Sequence, residues 1–152
     1  MGRIGRAHGD LVAPRRAMTR SEVMARVHSK DTTPELTVRR ALHAAGFRFR
    51  LHRKSLPGCP DLVFVRQAVA VFVNGCFWHG HRCEDGKRPA SNTDYWNSKI
   101  TRNMARDKRN VKTLRRMGWT PAVIWTCQLE RGISRLLVLL RRLQESQPEQ
   151  AQ

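Results

Sequence analysis

The stretch Pro60-Asp61-Leu62-Val63-Phe64-Val65 is followed, after Arg66-Gln67, by Ala68-Val69-Ala70-Val71-Phe72-Val73-Asn74-Gly75-Cys76-Phe77-Trp78-His79-Gly80-His81-Arg82-Cys83. Pro60 closes the turn Leu56-Pro57-Gly58-Cys59-Pro60 and leads the chain into Asp61 extended. Leu62 to Val65 reads as a buried strand, and Ala68 to Val73, apolar throughout, as its antiparallel hairpin partner. The hairpin therefore carries a carboxylate at its mouth and runs directly into two aromatics, two histidines and two cysteines.

Upstream, Thr32-Thr33-Pro34-Glu35 supplies an N-cap, an early proline and a glutamate placed as in a capping box, which predicts a helix from about Thr33 to Ala45 with Gly46 as its stop. Phe47, Phe49 and Leu51 alternate with Arg48, Arg50 and His52, the period of a strand with one buried face. Between Thr19 and Lys30 the helical spacing is weak. Downstream of a polar loop, Glu84 to Asn92, Thr93 can cap a long helix whose inward stripe reads Trp96, Ile100, Met104, Asp107, Val111, Leu114 and Met117. Gly118 ends it, Trp119 to Trp125 is another strand, and Ile133 to Leu143 is a last amphipathic helix. The order predicts an α/β fold, a mixed sheet flanked by helices. Residues 1–17 read as a basic arm without periodicity, 18–144 as one domain, and 145–152 as a frayed, Gln-rich tail.

With 152 residues the chain suits one core. Lys and Arg number 29 against 12 Asp and Glu, a formal net charge of +17 spread along the whole chain. A polyanionic partner is the economical explanation, with a small ribosome-like structural protein as the alternative. No apolar run approaches the ~18 residues of a membrane span, and the basic N-terminus lacks the apolar core of a signal peptide, so the expected location is intracellular, cytoplasmic. In a reducing compartment Cys59, Cys76, Cys83 and Cys127 point to thiolates on a metal rather than to disulfides.

Asp61, at a strand mouth, is placed to hold a hard divalent cation such as magnesium, which keeps several waters and takes phosphate oxygen as a further ligand; a strand-initiating turn aspartate is the competing interpretation. Asp107 falls in the apolar stripe of its helix and needs a partner. Either it fixes the tautomer of His79, leaving the other ring nitrogen to act on a water, or it pairs with a neighbouring arginine. Cys76, His81 and Cys83 in one loop, with Cys127 after a distant strand, form a tetrahedral zinc set. Cys59 competes as fourth ligand and His79 competes with His81. Phe77 and Trp78 stand at the tip of a tight loop with little core to enter, where they can wedge between base pairs; Trp96 either joins them or packs in the core.

With these residues in place, the chain resembles the very-short-patch-repair (Vsr-type) mismatch DNA endonucleases, a branch of the PD-(D/E)xK nuclease fold. The resemblance spans roughly Met18 to Leu143 and rests on Thr19-Arg20-Ser21, Asp31-Thr32, Glu35, Leu56 to Asp61, Gly75 to His79, His81, Cys83, Trp96, Asn103, Arg106-Asp107, Gly118-Trp119, Trp125 and Cys127. It implies catalytic magnesium (Mg2+) on Asp61 and the Val73 carbonyl, His79 paired with Asp107 to assist the attacking water, and Glu35 completing the site. It also implies structural zinc (Zn2+) on Cys76, His81, Cys83 and Cys127. Phe77, Trp78 and Trp96 would insert beside a T:G mismatch in double-stranded DNA, with the thymine strand nicked on its 5′ side. A monomer is implied, and a mismatch-repair protein is a candidate partner. Two departures stand out: Asn74 occupies a position that is usually His or Asp, and the lysine of the wider nuclease motif is missing. The competing functions are a same-fold nuclease with another target, a non-catalytic mismatch or DNA-shape binder, and a basic RNA-binding protein with a zinc knuckle.

Overall fold

The predicted hairpin forms the centre of a mixed four-stranded sheet in the computed structural model, which describes residues 16–25 and 30–146. The elements run α1 (Arg20–Ala25), α2 (Thr33–Ala44), β1 (Arg50–Leu51), β2 (Leu62–Phe64), β3 (Val69–Asn74), α3 (Thr93–Arg116), β4 (Thr120–Trp125) and α4 (Leu129–Glu145), with single 3-10 turns at Glu84–Gly86 and Thr126–Gln128. Most of the expected N-terminal arm and C-terminal tail lies outside the described residues. Among those described, no helix is long and apolar enough to cross a membrane.

The strand order is β1-β2-β3-β4, antiparallel at the first two pairings and parallel between β3 and β4. Both faces of the hairpin are covered, which is why its strands are apolar without alternation. Leu62, Phe64, Val69 and Val71 face a core shared with Val38 and Leu42 of α2 and Ile133, Leu136 and Leu140 of α4. Val63 and Ala70 face the opposite way, against Leu56 and Leu114 of α3. α4 lies close on the sheet because position 132 is glycine: a Cβ there would come within 2.7 Å of Ile124 Cγ2.

This topology gathers the functional segments at one end of the sheet. Asp61 leads into β2 there, β3 ends there with Asn74, and β4, parallel to β3, delivers Trp125 and Cys127 to the same end.

Several expectations are corrected in detail. The strand expected over Phe47 to Leu51 narrows to Arg50–Leu51, with Leu51 exposed at the sheet edge; Phe47 and Phe49 pack edge-on against Phe64 instead. The capping box is altered: Thr32 makes no side-chain cap, and its hydroxyl donates to Glu35 Oε1 at 3.1 Å. Asn92, in a left-handed conformation (φ 51°), precedes α3 in the role expected of Thr93. Within α3, Trp96, Ile100 and Leu114 are buried, Asp107 and Val111 border an open cleft, and Met104 and Met117 are exposed. α4 starts at Leu129, continuing from the 3-10 turn, before the apolar stripe begins at Ile133.

Candidate active site and metal centre

Asp61 is tied to β3 twice. Its N–H donates to the Val71 carbonyl at 2.9 Å, and its Oδ2 accepts the Val73 N–H at 2.7 Å. Oδ1 has no hydrogen bond among the described residues; Nδ1 of His52 stands 3.9 Å from it. Burial raises the Asp61 carboxyl above its ordinary range, the Val73 N–H opposes that rise, and the charge of Glu35 adds to it. A partly buried carboxylate with one oxygen fixed and the other free suits an oxygen-seeking divalent cation.

Glu35, in the first turn of α2, is 3% exposed. It accepts the Asp31 N–H at 3.1 Å, and Arg39, one turn further along α2, reaches it at 3.2 Å. Arg39 also pairs with Asp31 at 2.7 Å, and that hydrogen bond holds the Asp31 carboxyl below its usual range. Donor atoms of Asp31, Glu35 and His52 lie within 4.8 Å of one another, but Arg39 bonds to all three and supplies the positive charge there.

His79, in the loop after β3, is hydrogen-bonded through Nδ1 to Oδ2 of Asp107 in α3. Oδ1 of Asp107 lies 3.6 Å from Arg106, so the two partners inferred from the sequence are both present. An ionised Asp107 fixes the proton on Nδ1 and leaves Nε2 as an acceptor. Asp61, Glu35, His79, Asp107, Asn74 and Val73 line one cleft, together with His52, Cys59, Lys30, Arg106 and Asn110 among others. Asn74 is 8% exposed. The neutral amide therefore sits among the acids and imidazoles, and Lys30, from outside the hairpin, brings a cation to the rim.

Cys76, His81, Cys83 and Cys127 converge with their donor atoms within 4.8 Å of one another, Cys127 Sγ lying 3.4 Å from His81 Nδ1. Three thiols and an imidazole at such separations fit a tetrahedral soft-metal site. Trp125 stacks on the His81 ring (centroids 4.3 Å, planes 23° apart) and holds its orientation. Desolvation and the hydrogen bonds to Cys76 and Cys83 push the Cys127 thiol up to about 12. The Cys76 thiol is burdened by burial, yet bonds from Thr126, Cys127 and Cys83 leave it below its ordinary value. Close packing limits the loop: a Cβ on Gly86 would collide with the His81 carbonyl oxygen. Cys59 is directed to the cleft and takes no part in this cluster.

Phe77 corrects the expectation of exposure, whereas Trp96 packs in the core, one of the two readings the sequence left open. Phe77 is 3% and Trp96 2% exposed, edge-to-face at 5.1 Å, and only Trp78 of the three is partly open. They do have a core to enter, because α1 folds over them: Met24 packs on the cluster, Ser21 accepts the Trp96 indole N–H at 2.9 Å, and the Arg20 guanidinium lies over Phe77. The Lys99 ammonium stands 5.1 to 5.5 Å from the Trp78, Tyr95 and Trp96 ring centres, and Asn103 donates to the Trp78 carbonyl at 3.0 Å.

The profile of the Vsr family, DNA mismatch endonuclease Vsr, matches residues 15–85. The type II nicking enzyme V.XorIIP of Xanthomonas oryzae pv. oryzae is 51% identical over 120 residues, 79% of this chain and 86% of that protein. The chain belongs to the Vsr family. The type II nicking enzyme V.NmeAIP of Neisseria meningitidis is 42% identical over 84% of this chain and 93% of its own. The DNA mismatch endonuclease Vsr of Escherichia coli K12 is 39% identical, covering 84% and 82%. The Vsr profile ends at residue 85, so Asp107 and Cys127 join the site through the fold of the remaining chain.

Arg39 and His52 were not singled out from the sequence. The spacing of Glu35 and Arg39, four apart on a helix, was a usable signal for the first. His52 carried none, because in the sequence it is only the last polar position of the alternation that begins at Phe47.

Proposed function

We propose that this protein is a metal-dependent endonuclease that nicks duplex DNA 5′ of the thymine in a T:G mismatch. The observation that carries this reading is the meeting of Asp61, His79 and Asp107 in one cleft at the sheet end. Asp61 Oδ1, with the Val73 carbonyl, is the proposed seat of magnesium. When bound there, the cation offsets phosphate charge and acidifies a coordinated water. His79, its Nδ1 proton held by Asp107, takes the proton of the attacking water at Nε2. Glu35 adds negative charge beside Asp61, and the Asn74 amide lines the same wall without charge of its own.

Cys76, His81, Cys83 and Cys127 are proposed to hold structural zinc, which fixes the loop bearing His79 and the aromatics. Trp78, the accessible ring, enters the helix at the mismatch; Phe77 and Trp96 follow when α1 moves aside. The protein works as a monomer beside the nucleoid, within the single domain 18–144, with a PD-(D/E)xK core and a mismatch-repair protein as candidate partner. A second reading, nicking at a mismatch within a restriction-type recognition site, is favoured by the relatives named type II nicking enzymes.

The deciding experiment offers end-labelled T:G heteroduplexes in varied flanking sequence, their matched duplexes and single-stranded RNA, each with magnesium at fixed salt. Strand-specific nicking of the heteroduplex supports the proposal. Cutting of matched duplexes equally well, or binding of RNA in preference without any cutting, removes it.

A further inference from the structure

One polar group close to the free oxygen of Asp61 belongs to neither the hairpin nor the His79–Asp107 pair. It is His52, one residue beyond β1, whose Nδ1 stands 3.9 Å from Asp61 Oδ1. The opposite ring nitrogen, Nε2, lies 2.9 Å from an Arg39 terminal nitrogen and 3.8 Å from Asp31 Oδ1. A guanidinium can only donate, so Nε2 must accept, and the single proton of the ring resides on Nδ1, the side facing Asp61.

Arg39 is itself clamped by Asp31 and Glu35, and its side chain is only 13% exposed. Its Nε is the one buried side-chain polar atom without a partner among the described residues. A sunken guanidinium with one donor unmet is an expensive way to secure a fold, so its value lies in orientation. The His52 backbone is held as well, with φ of 44° and its N–H 3.3 Å from the Asp61 carbonyl.

We propose that Arg39 and His52 form a positioning relay for Asp61: Arg39 fixes the imidazole so that its Nδ1–H faces Oδ1 of Asp61, and this contact, with the Val73 N–H on Oδ2, sets the carboxylate plane for a divalent cation. Neither residue touches the reacting atoms. The relay rests on the reading of Asp61 as a cation ligand. Residues that orient a metal ligand from behind change metal affinity about 10- to 100-fold when removed.

The test measures manganese binding to the purified full chain, without DNA, by electron paramagnetic resonance, for wild type, Asp61→Ala, His52→Leu, His52→Ala and His52→Asn. The Asn amide keeps an N–H donor near the place of Nδ1. The relay predicts that both apolar variants bind manganese about 10- to 100-fold more weakly while melting near the wild-type temperature, and that His52→Asn recovers most of the loss. If Asp61→Ala abolishes binding while His52→Leu and His52→Ala bind like wild type, the relay is overturned and the Asp61 reading stands. If Asp61→Ala still binds manganese in the cleft, both fall. Loss of the fold in both apolar variants would assign His52 to stability and overturn the relay.

Discussion

Nδ1 of His79 is hydrogen-bonded to Oδ2 of Asp107 across 28 positions of sequence, joining the loop after β3 to the middle of α3. In the proposed mechanism the pair makes His79 a base of defined tautomer in the cleft that Asp61 also lines. Asp107→Asn should leave the ring in place but disturb which nitrogen carries the proton. We expect single-turnover nicking of a T:G duplex to fall by about 10²- to 10⁴-fold, with heteroduplex affinity within a few-fold of wild type. A drop in affinity that accounts for the whole loss would make the pair a binding element instead.

Asp61 is shifted upward, so its protonated form is the one that the fold favours. That contribution is present in acid and is lost as pH rises through the raised value; at neutral pH the ionised group costs stability. Without divalent metal, Asp61→Asn should therefore melt above wild type at pH 7, and the gap should close as pH falls toward the ordinary aspartate range. Magnesium should raise the wild-type melting temperature and leave the variant unmoved. Thermal melts across pH, with and without metal, measure this directly; an advantage that grows in acid would contradict it.

The knuckle supplies a separate handle. Gly86→Ala must push a methyl group into the His81 carbonyl oxygen. The purified variant should carry less zinc by elemental analysis and melt lower, as should wild type treated with a strong chelator. Full zinc content in Gly86→Ala would show that the loop has room that the packing denies it.

The aromatic cluster divides into structural and accessible members. Truncating the buried Trp96 to Ala removes its packing on Phe77 and its bond to Ser21 and should cost about 3–5 kcal/mol in chemical unfolding. Trp78→Ala should cost less stability, yet narrow the preference for mismatched over matched duplex. Equal losses of stability in both variants would argue against that division.

The hairpin, the helix after Thr32 and the loop part of the Cys/His cluster were legible because each leaves a local mark: an unbroken apolar run, a proline at a helix start, cysteines spaced along a loop. Phe77 was misjudged because its cover comes from Met24 and Arg20 of α1, more than 50 positions away in the chain, and no periodicity announces such a contact. The α3 stripe was read as wholly buried, whereas Asp107 and Val111 open onto a cleft; a helical period shows which residues share a face but not whether that face meets core or solvent. His52 escaped for the same reason, since its place beside Asp61 comes from the β1–β2 register.

The central claim, that Asp61 serves chemistry rather than grip, is met most directly by one comparison. Wild type and Asp61→Ala are mixed in excess with a labelled T:G heteroduplex and magnesium, and bound and nicked fractions are read from the same samples. Equal binding, rapid nicking by wild type on the thymine strand, and no nicking by the variant are expected. Nicking by Asp61→Ala at the wild-type rate would contradict that claim.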